Sequence, residues 1–244
     1  NTDPRTHKVN LGVGVYYNEE GRIPLLKAVA LAEKARAEAH APRGYLPIEG
    51  IGAYDSAVQK LLFGADSAIV QSGRIITSQA LGGTGALKIG ADYLKRLRPD
   101  AVVAISNPSW ENHRALFESA GFPVQNYRYY DAQQQGVDIN GMLEDLRQLP
   151  AQSIVVLHAC CHNPTGVDLS PEQWVAVLEV LRERDLIPFL DIAYQGFAEG
   201  VYEDAHAVRM FADSGLSFFV SSSFSKSFSL YGERVGALSI VTQS

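Results

Sequence analysis

The sequence predicts an α/β fold with a mainly parallel sheet covered by helices on both faces. Extended apolar segments alternate with helical segments through much of the chain, and the extended segments are almost continuously apolar. Strands with that pattern are buried on both faces, as they are inside a parallel sheet. The composition agrees, because a chain of 244 residues that is 46% hydrophobic and 20% charged is typical of a globular protein.

The first part of the alternation begins at residue 85. The segment GALKIGADYLKRLR at 85–98 has helical spacing and stops before Pro99. The following segment, AVVAIS at 101–106, is rich in the β-branched residues that favour strands. The elements that we predict next are a helix near 111–120, a strand near 124–128, a helix at 140–148 and a strand at 153–159.

The second part begins with a strong helix signal at 169–184. This segment has Ser170 as its N-cap, Pro171 at the first helical position and Gln173 in the first turn. The elements that follow are a strand at 186–193, a helix at 205–214 and a strand at 216–222. Repeated β–α units of this kind favour a single parallel sheet.

Charge and cysteine content limit the class of protein. The formal net charge of −6 argues against a nucleic-acid-binding surface, and no apolar run is long enough to span a bilayer. The neighbouring Cys160 and Cys161 would form a strained ring if they bridged each other, so we expect buried thiols in a reducing, cytoplasmic compartment. Because the chain opens on Asn1 and ends in a strand-like segment, we expect a piece of a longer protein.

The loops that follow the strands are the expected place for a ligand site, because ligands of open α/β sheets bind beyond the carboxyl ends of the strands. The first loop is GGTGA at 82–86, which precedes a helix. The free N–H groups of a helix N-terminus attract an anion, and glycines let a ligand approach the backbone. A glycine turn before a helix is often purely structural, but the hydroxyl of Thr84 favours phosphate.

Two further loops carry aromatic and amide groups. In NPSWENH at 107–113, Trp110 could stack on a flat ring and His113 could orient an acidic group, although both could simply pack. In CCHNPTG at 160–166, Asn163 precedes a proline and is therefore extended, so its amide could face a ligand or belong to an ordinary turn. The Cys-Cys-His run is too tightly spaced for tetrahedral ligation, and we expect no metal.

The fourth loop, LDIAYQGF at 190–197, ends a strand with a carboxylate. Asp191 needs a partner if it is buried, and Tyr194 is close enough in sequence to share its pocket, although Asp191 could also cap a turn. Two opposite charges about 4 Å apart interact by roughly 4 kcal/mol at an effective dielectric constant of about 20. If a ligand placed a pyridine nitrogen beside Asp191, an interaction of that size would keep the nitrogen protonated at neutral pH.

A lysine completes the set. Lys226 follows the last predicted strand in SSSFSKSFSLYGERVG at 221–236, where an apolar setting removes hydration from its amine. A lysine for a Schiff base, an acid for a ring nitrogen and an arginine for a phosphate are together what pyridoxal phosphate requires. We therefore predict that cofactor, held at its phosphate by Gly83, Thr84, Ser223 and Arg234.

These motifs, taken in order, resemble those of the aspartate/aromatic aminotransferase family of fold-type I enzymes, and most closely the bacterial aromatic (tyrosine) branch. The resemblance runs from VNLGVGVYYNEEG at 9–21 to GERVGALSIV at 232–241. It implies a mainly parallel seven-stranded sheet in a large domain at 25–244, and part of a small domain at 1–24. It also implies amino acid and 2-oxo acid substrates and a homodimer with shared active sites.

The same resemblance assigns a role to each site residue. Lys226 would bond the cofactor and move a proton, Asp191 would bind its ring nitrogen, and His113 would stand behind Asp191. The remaining assignments are ring contacts for Trp110, Tyr194 and Asn163, phosphate contacts for Gly83, Thr84, Ser223 and Arg234, a reach to the neighbouring subunit's phosphate for Tyr45, and a substrate carboxylate site at Gly14, Trp110 and Asn163.

Four functional hypotheses follow. A transaminase that moves the amino group of an aromatic amino acid or aspartate to 2-oxoglutarate fits best, and an aspartate aminotransferase proper is its alternative. A lyase or decarboxylase of the same fold would have a similar pocket. A non-catalytic domain would have lost Lys226 or Asp191, and both are present. A dinucleotide binder would need a different glycine spacing from GGTG.

Overall fold

The computed structural model describes Pro4 and residues 14–243, in a chain that divides into two units at 1–43 and 44–244. In the first unit, the side chain of Asn18 accepts hydrogen bonds from the backbone of Glu20 and Arg22, and helix α1 spans Lys27–Glu38. Half of the expected small-domain segment at 1–24 lies outside the described residues, so the domain boundary stays a prediction.

The second unit contains the remaining elements. Its helices are α2 Gly52–Phe63, α3 Ala68–Gln71, α4 Gly82–Leu97, α5 Glu111–Ser119, α6 Ile139–Gln148, α7 Pro171–Glu183 and α8 His206–Asp213, with a 3₁₀ turn at Glu203–Ala205. Its strands are β1 Ile75–Leu81, β2 Val103–Asn107, β3 Val124–Arg128, β4 Tyr130–Asp131, β5 Gly136–Val137, β6 Ile154–His158, β7 Ile187–Ile192, β8 Phe218–Ser223 and β9 Val235–Val241. No helix in the described part of the chain has the length and apolar character needed to cross a membrane.

Seven strands form one sheet in the order β1-β9-β8-β7-β6-β2-β3, which confirms the predicted α/β architecture. The pairs from β8 to β3 are parallel, and β9 runs antiparallel to both β8 and β1. Strand β1 therefore points the same way as β8. The carboxyl ends of β1, β2, β6, β7 and β8 meet at one edge of the sheet.

The core has two parts because neighbouring residues of each strand face opposite sides. On β7, Phe189 joins a cluster with Leu87 and Phe117 from α4 and α5, whereas Leu190 joins a cluster with residues of α2, α6, α7 and α8. The near-continuous apolar strands are thus covered by helices on both faces, as expected. This burial leaves the strand ends as the place where polar groups gather.

The predicted elements lie within two residues of the observed ones, except that α4 begins at Gly82 rather than at residue 85. The GGTGA segment is therefore the first turn of the helix and not a loop before it. Strand β1 has no counterpart among the predicted strands, because its IITSQAL sequence is mixed and its buried and exposed residues alternate at the edge of the sheet. The predicted cap of α7 is confirmed, with Ser170 and Gln173 forming a reciprocal capping box.

Gly90 sets the distance between α4 and the sheet. A Cβ at this position would lie 2.6 Å from the ring of Phe189 and 3.3 Å from Leu238. Alanine normally stabilises a helix interior relative to glycine by about 1 kcal/mol. At Gly90 the buried ring of Phe189 leaves no room for a methyl group, so the cost of overpacking exceeds the gain in helix propensity.

We expect Gly90→Ala to destabilise the protein by about 1–3 kcal/mol, the usual cost of inserting a methyl group into a packed core. The measurement is the free energy of unfolding in urea. Gly52→Ala is the matched control, because the same substitution at the start of α2 meets no atom within 4 Å. Equal or higher stability of Gly90→Ala would contradict the tight contact with Phe189.

Candidate active site

The buried carboxylate of Asp191 is the centre of the site. It lies at the carboxyl end of β7, and His113 from α5 contacts it, with 2.8 Å between His113 Nε2 and Asp191 Oδ2. Both side chains are buried. On its other nitrogen, His113 Nδ1 lies 3.0 Å from the hydroxyl of Ser109. A neutral imidazole that donates from Nε2 to Asp191 accepts the Ser109 hydroxyl proton at Nδ1.

Ser109 was missed by the sequence reasoning, although its position supplied a signal. It stands four residues before His113 in the same motif, a spacing that brings side chains together across the start of a helix. The chain Ser109–His113–Asp191 fixes both the imidazole and the carboxylate. Asp191 therefore keeps its remaining oxygen for another partner.

A cluster of aromatic rings packs against His113. The ring of His158 lies 4.8 Å from that of His113 and 4.4 Å from that of His162, which in turn stacks on Tyr129 at 3.9 Å. Burial lowers the pKa of His158 well below its ordinary value and lowers the pKa of His162 to about 4. Both rings are therefore neutral near pH 7, so they add no positive charge beside His113.

Lys226 lies beside Tyr194, with 4.6 Å between its Nζ and the centroid of the phenol ring. Burial lowers the pKa of the half-buried Lys226 amine, the charge of Asp191 opposes that change, and the charge of Arg234 adds to it. Burial also raises the pKa of the Tyr194 phenol, as does the charge of Asp191. The predicted lysine, acid and phenol are thus in one pocket, with the amine biased towards its neutral form and the phenol kept protonated.

The residues that we predict to hold a phosphate, which we call the cup, lie near the point where α4 begins and β9 starts. The N–H of Gly82 donates to the carbonyl of Arg234 at 2.8 Å, and the Arg234 guanidinium donates to the Ser225 hydroxyl at 3.3 Å. Gly82 has a φ of +69°, and a Cβ there would lie 2.6 Å from Arg234 Nη2. Ser225, which the sequence reasoning did not select, thus joins the cup.

The cup has the features of an anion site. A Cβ on Gly83 would lie 3.0 Å from the Cβ of Ser223, so the glycine keeps the helix start open beside that hydroxyl. No side chain of the described residues caps α4, and Thr84 is exposed in its first turn. Free N–H groups, hydroxyls and a guanidinium around an open backbone suit a phosphate.

The other predicted residues divide into two groups. Trp110 packs edge-on against His113 with 5.3 Å between ring centroids, and Asn163 is half-buried with no side-chain hydrogen bond to any described residue. Both side chains are thus available to a ligand, and Trp110 contacts the histidine that holds Asp191. Tyr45 is fully exposed, and Gly14 is an exposed residue of the N-terminal unit, so their roles stay predictions.

A family model described as aminotransferase class I and II matches residues 6–244 of the chain. The chain belongs to this family. It is 75% identical over 244 residues to an aspartate aminotransferase of Pseudomonas aeruginosa, and 56% identical over 242 residues to an aromatic-amino-acid aminotransferase of Escherichia coli. The two matches include 100% and 99% of this chain, but the chain spans only 61% of the length of each relative.

Solved structures agree with the family. An aromatic-amino-acid aminotransferase from Burkholderia pseudomallei, described as covalently bound to pyridoxal phosphate, matches 99% of this chain and 61% of its own, with a TM-score of 0.97 and 67% identity. A cytoplasmic aspartate aminotransferase from Saccharomyces cerevisiae matches with a TM-score of 0.92 and 39% identity. The family resemblance and the fold predicted from the motifs are therefore confirmed.

The buried histidines make stability depend on pH. Because the folded pKa of His162 is about 4, against 6.5 as its ordinary value, the unfolded chain binds more protons between these two pH values. Stability should therefore fall as the pH is lowered from 7 to 4. We expect His162→Gln to weaken this dependence, as measured by thermal unfolding midpoints across that range.

The exposed His206 provides the control, since His206→Gln makes the same substitution without removing a buried imidazole. If the slope of midpoint against pH were the same for wild type and for His162→Gln, the neutral buried imidazole of His162 would be contradicted.

Proposed function

We propose that the protein to which this chain belongs is a pyridoxal-phosphate-dependent aminotransferase. It transfers the amino group of an aromatic amino acid or aspartate to 2-oxoglutarate by a ping-pong mechanism. The observation that carries the proposal is the position of Lys226. Its amine is close enough to the buried carboxylate of Asp191 and to the guanidinium of Arg234 for the charge of each to affect its pKa, and its Nζ lies 4.6 Å from the ring centroid of Tyr194.

The residues present fit pyridoxal phosphate. Gly83, Thr84, Ser223, Ser225 and Arg234 would hold the phosphate, since a Cβ at the helix start would fill the space the anion needs. The carboxylate of Asp191 would pair with the ring nitrogen, whereas the contacts of Trp110, Tyr194 and Asn163 would be to the ring and its oxygen. When bound, the cofactor supplies an electron sink for the amino acid substrate.

The protein's own part in the reaction is to position groups and move protons. A buried amine with a lowered pKa is neutral more often than a free lysine, so Lys226 Nζ can act both as a nucleophile and as a base at the substrate Cα. Ser109 and His113 hold the Asp191 carboxylate in one orientation. The Tyr194 phenol stays protonated and can donate one hydrogen bond.

The partners extend this proposal. Tyr45 has a fully exposed ring next to the exposed Leu46 and Ile48, which suits contact with a second copy of the chain. We propose that Tyr45 reaches the neighbouring subunit's phosphate in a homodimer, and that Gly14 lies near the substrate carboxylate together with Trp110 and Asn163. A cytoplasmic location is consistent with the two free cysteines.

The preferred amino donor is either an aromatic amino acid or aspartate. The 75% identical relative is named an aspartate aminotransferase, whereas the 67% identical solved structure is named an aromatic-amino-acid aminotransferase. The experiment is to mix the purified full-length protein with excess tyrosine or, separately, excess aspartate, and to follow the cofactor's visible absorption. Bleaching by both donors supports the broad activity, and bleaching by aspartate alone supports the alternative. No bleaching with either would contradict the proposed function.

Lys226 is the decisive residue for a mutation. We expect Lys226→Ala to lower turnover by at least about 10³-fold, since a positioned base alone contributes about 10²–10⁴-fold and the nucleophile is lost with it. Overall transamination is measured with a coupled assay for the released 2-oxo acid. Lys226→Arg is the matched control, because it keeps the positive charge and cannot act as a nucleophile or base at neutral pH. Wild-type turnover in either variant would remove Lys226 from the mechanism.

Asp191 should matter through its charge. We expect Asp191→Asn to lower turnover by about 10³-fold, since roughly 4 kcal/mol of charge interaction with a ring nitrogen is lost. Asp191→Glu keeps the charge on a longer side chain and should retain more activity than Asp191→Asn. The two variants are compared by kcat and by cofactor affinity, and equal losses would indicate that geometry rather than charge determines the role.

A further inference from the structure

A second cluster of reactive side chains lies behind the loop that carries Tyr194. The sulfurs of Cys160 and Cys161 and a carboxylate oxygen of Asp204 lie within 4.8 Å of one another. Both cysteines are free thiols, and Cys161 Sγ lies 3.9 Å from the backbone carbonyl of Tyr194. The mechanism proposed above uses neither sulfur.

The backbone explains why two consecutive sulfurs meet. In an extended segment, consecutive side chains point to opposite sides, so the sulfurs of adjacent cysteines would be far apart. Cys161 instead has a φ of +50°, in the left-handed region that non-glycine residues rarely adopt. Its N–H and that of His162 both donate to the carboxylate of Asp168, at 2.6 and 2.7 Å, which stabilises this turn. The strained backbone turns both thiols to one side.

Asp204 adds a negative charge beside the sulfurs. Its two carboxylate oxygens accept four backbone hydrogen bonds, from Gly196, Ala198, Glu199 and Gly200, at 2.7–3.2 Å. These contacts hold the carboxylate in place although it is buried. A cation between the sulfurs would be attracted to this fixed charge without any rearrangement of the loop.

The cluster is also open to solvent on one side. A cavity of about 720 Å³ is lined by Cys160, Asp168, Trp174, Asp204 and Arg209 among other residues. It gives an entry path and room for a water molecule at a further coordination position. Two thiols from the protein, with a fixed carboxylate charge beside them and room for water, suit a soft divalent cation.

We propose that Cys160 and Cys161 form a dithiolate site for a thiophilic divalent cation, with Asp204 as the third neighbour and water from the cavity completing its coordination. Binding would convert two thiols and one cation into two metal–sulfur bonds and two released protons. The tight Cys-Cys-His spacing argued against a metal in the sequence analysis. The structure supplies the missing partner from residue 204 and leaves His162 out, since that ring is bonded to Ser106 and Thr165.

The test uses Cd²⁺ and the full-length protein. The sulfur-to-cadmium charge-transfer absorption in the ultraviolet should saturate at one ion per chain and disappear on addition of EDTA. Histidine and carboxylate ligands give no such band, so the other cluster with metal-ligand spacing, His113, His158 and Asp191, does not interfere. Cys160→Ser and Cys161→Ser should each weaken Cd²⁺ binding by at least about tenfold.

A second measurement does not depend on the variants' folding. Wild-type protein is treated with a thiol-alkylating reagent with and without Cd²⁺, and the modified cysteines are mapped by mass spectrometry. Protection of Cys160 and Cys161 together supports the site. A charge-transfer band that persists when both residues are replaced, alkylation of Cys160 and Cys161 that Cd²⁺ does not change, or no saturable band would each overturn it.

Discussion

A buried carboxylate at the end of a central strand is the constraint on which the rest of the site depends. Burying an unpaired charge costs several kcal/mol, so Asp191 requires partners that remain in place. His113 supplies one at 2.8 Å, and Ser109 fixes the orientation of that imidazole. The ring of His158 lies behind His113 and is neutral. A positive charge at that position would make Asp191 attract a cationic ligand less strongly on its open side. The pocket thus favours a positive group at one position.

The sheet brings the complementary groups to the same edge. Strands β7 and β8 are parallel neighbours, so Asp191 and the Ser223–Lys226 region necessarily leave the sheet on one side. Strand β9 returns antiparallel beside β1, which places Arg234 at the first turn of α4. The two ends of the pocket therefore differ in charge: a carboxylate at one, and a guanidinium with a helix N-terminus at the other. A ligand with a cationic ring and an anionic phosphate matches that polarity.

The sequence predicted those parts of the molecule that follow from local chemistry. The structure confirms the apolar strand predicted at 186–193, which is β7. It also confirms the helix cap predicted at Ser170 and Gln173. Strand β1 was missed because an edge strand with a mixed pattern carries a weak periodic signal. His158 and Ser225 were missed for a different reason. His158 is buried, and its ring contacts His113 at a tilt and His162 edge-on, whereas Ser225 meets Arg234 because the chain after β8 turns back towards β9. Such contacts arise only when the strands align.

Cys161 and Gly82 both have a left-handed backbone conformation, but only Cys161 is strained by it. At Gly82 the conformation is available because glycine has no Cβ, and it lets the helix begin against the Arg234 guanidinium. Cys161 has a Cβ, so the same left-handed backbone conformation costs free energy there. Two backbone hydrogen bonds to Asp168 offset that cost. A serine or alanine at 161 would bear the same backbone cost, so the strain alone does not require sulfur. The arrangement becomes specific only where the second sulfur, the fixed Asp204 charge and the cavity coincide, and these are the features that a soft cation would need.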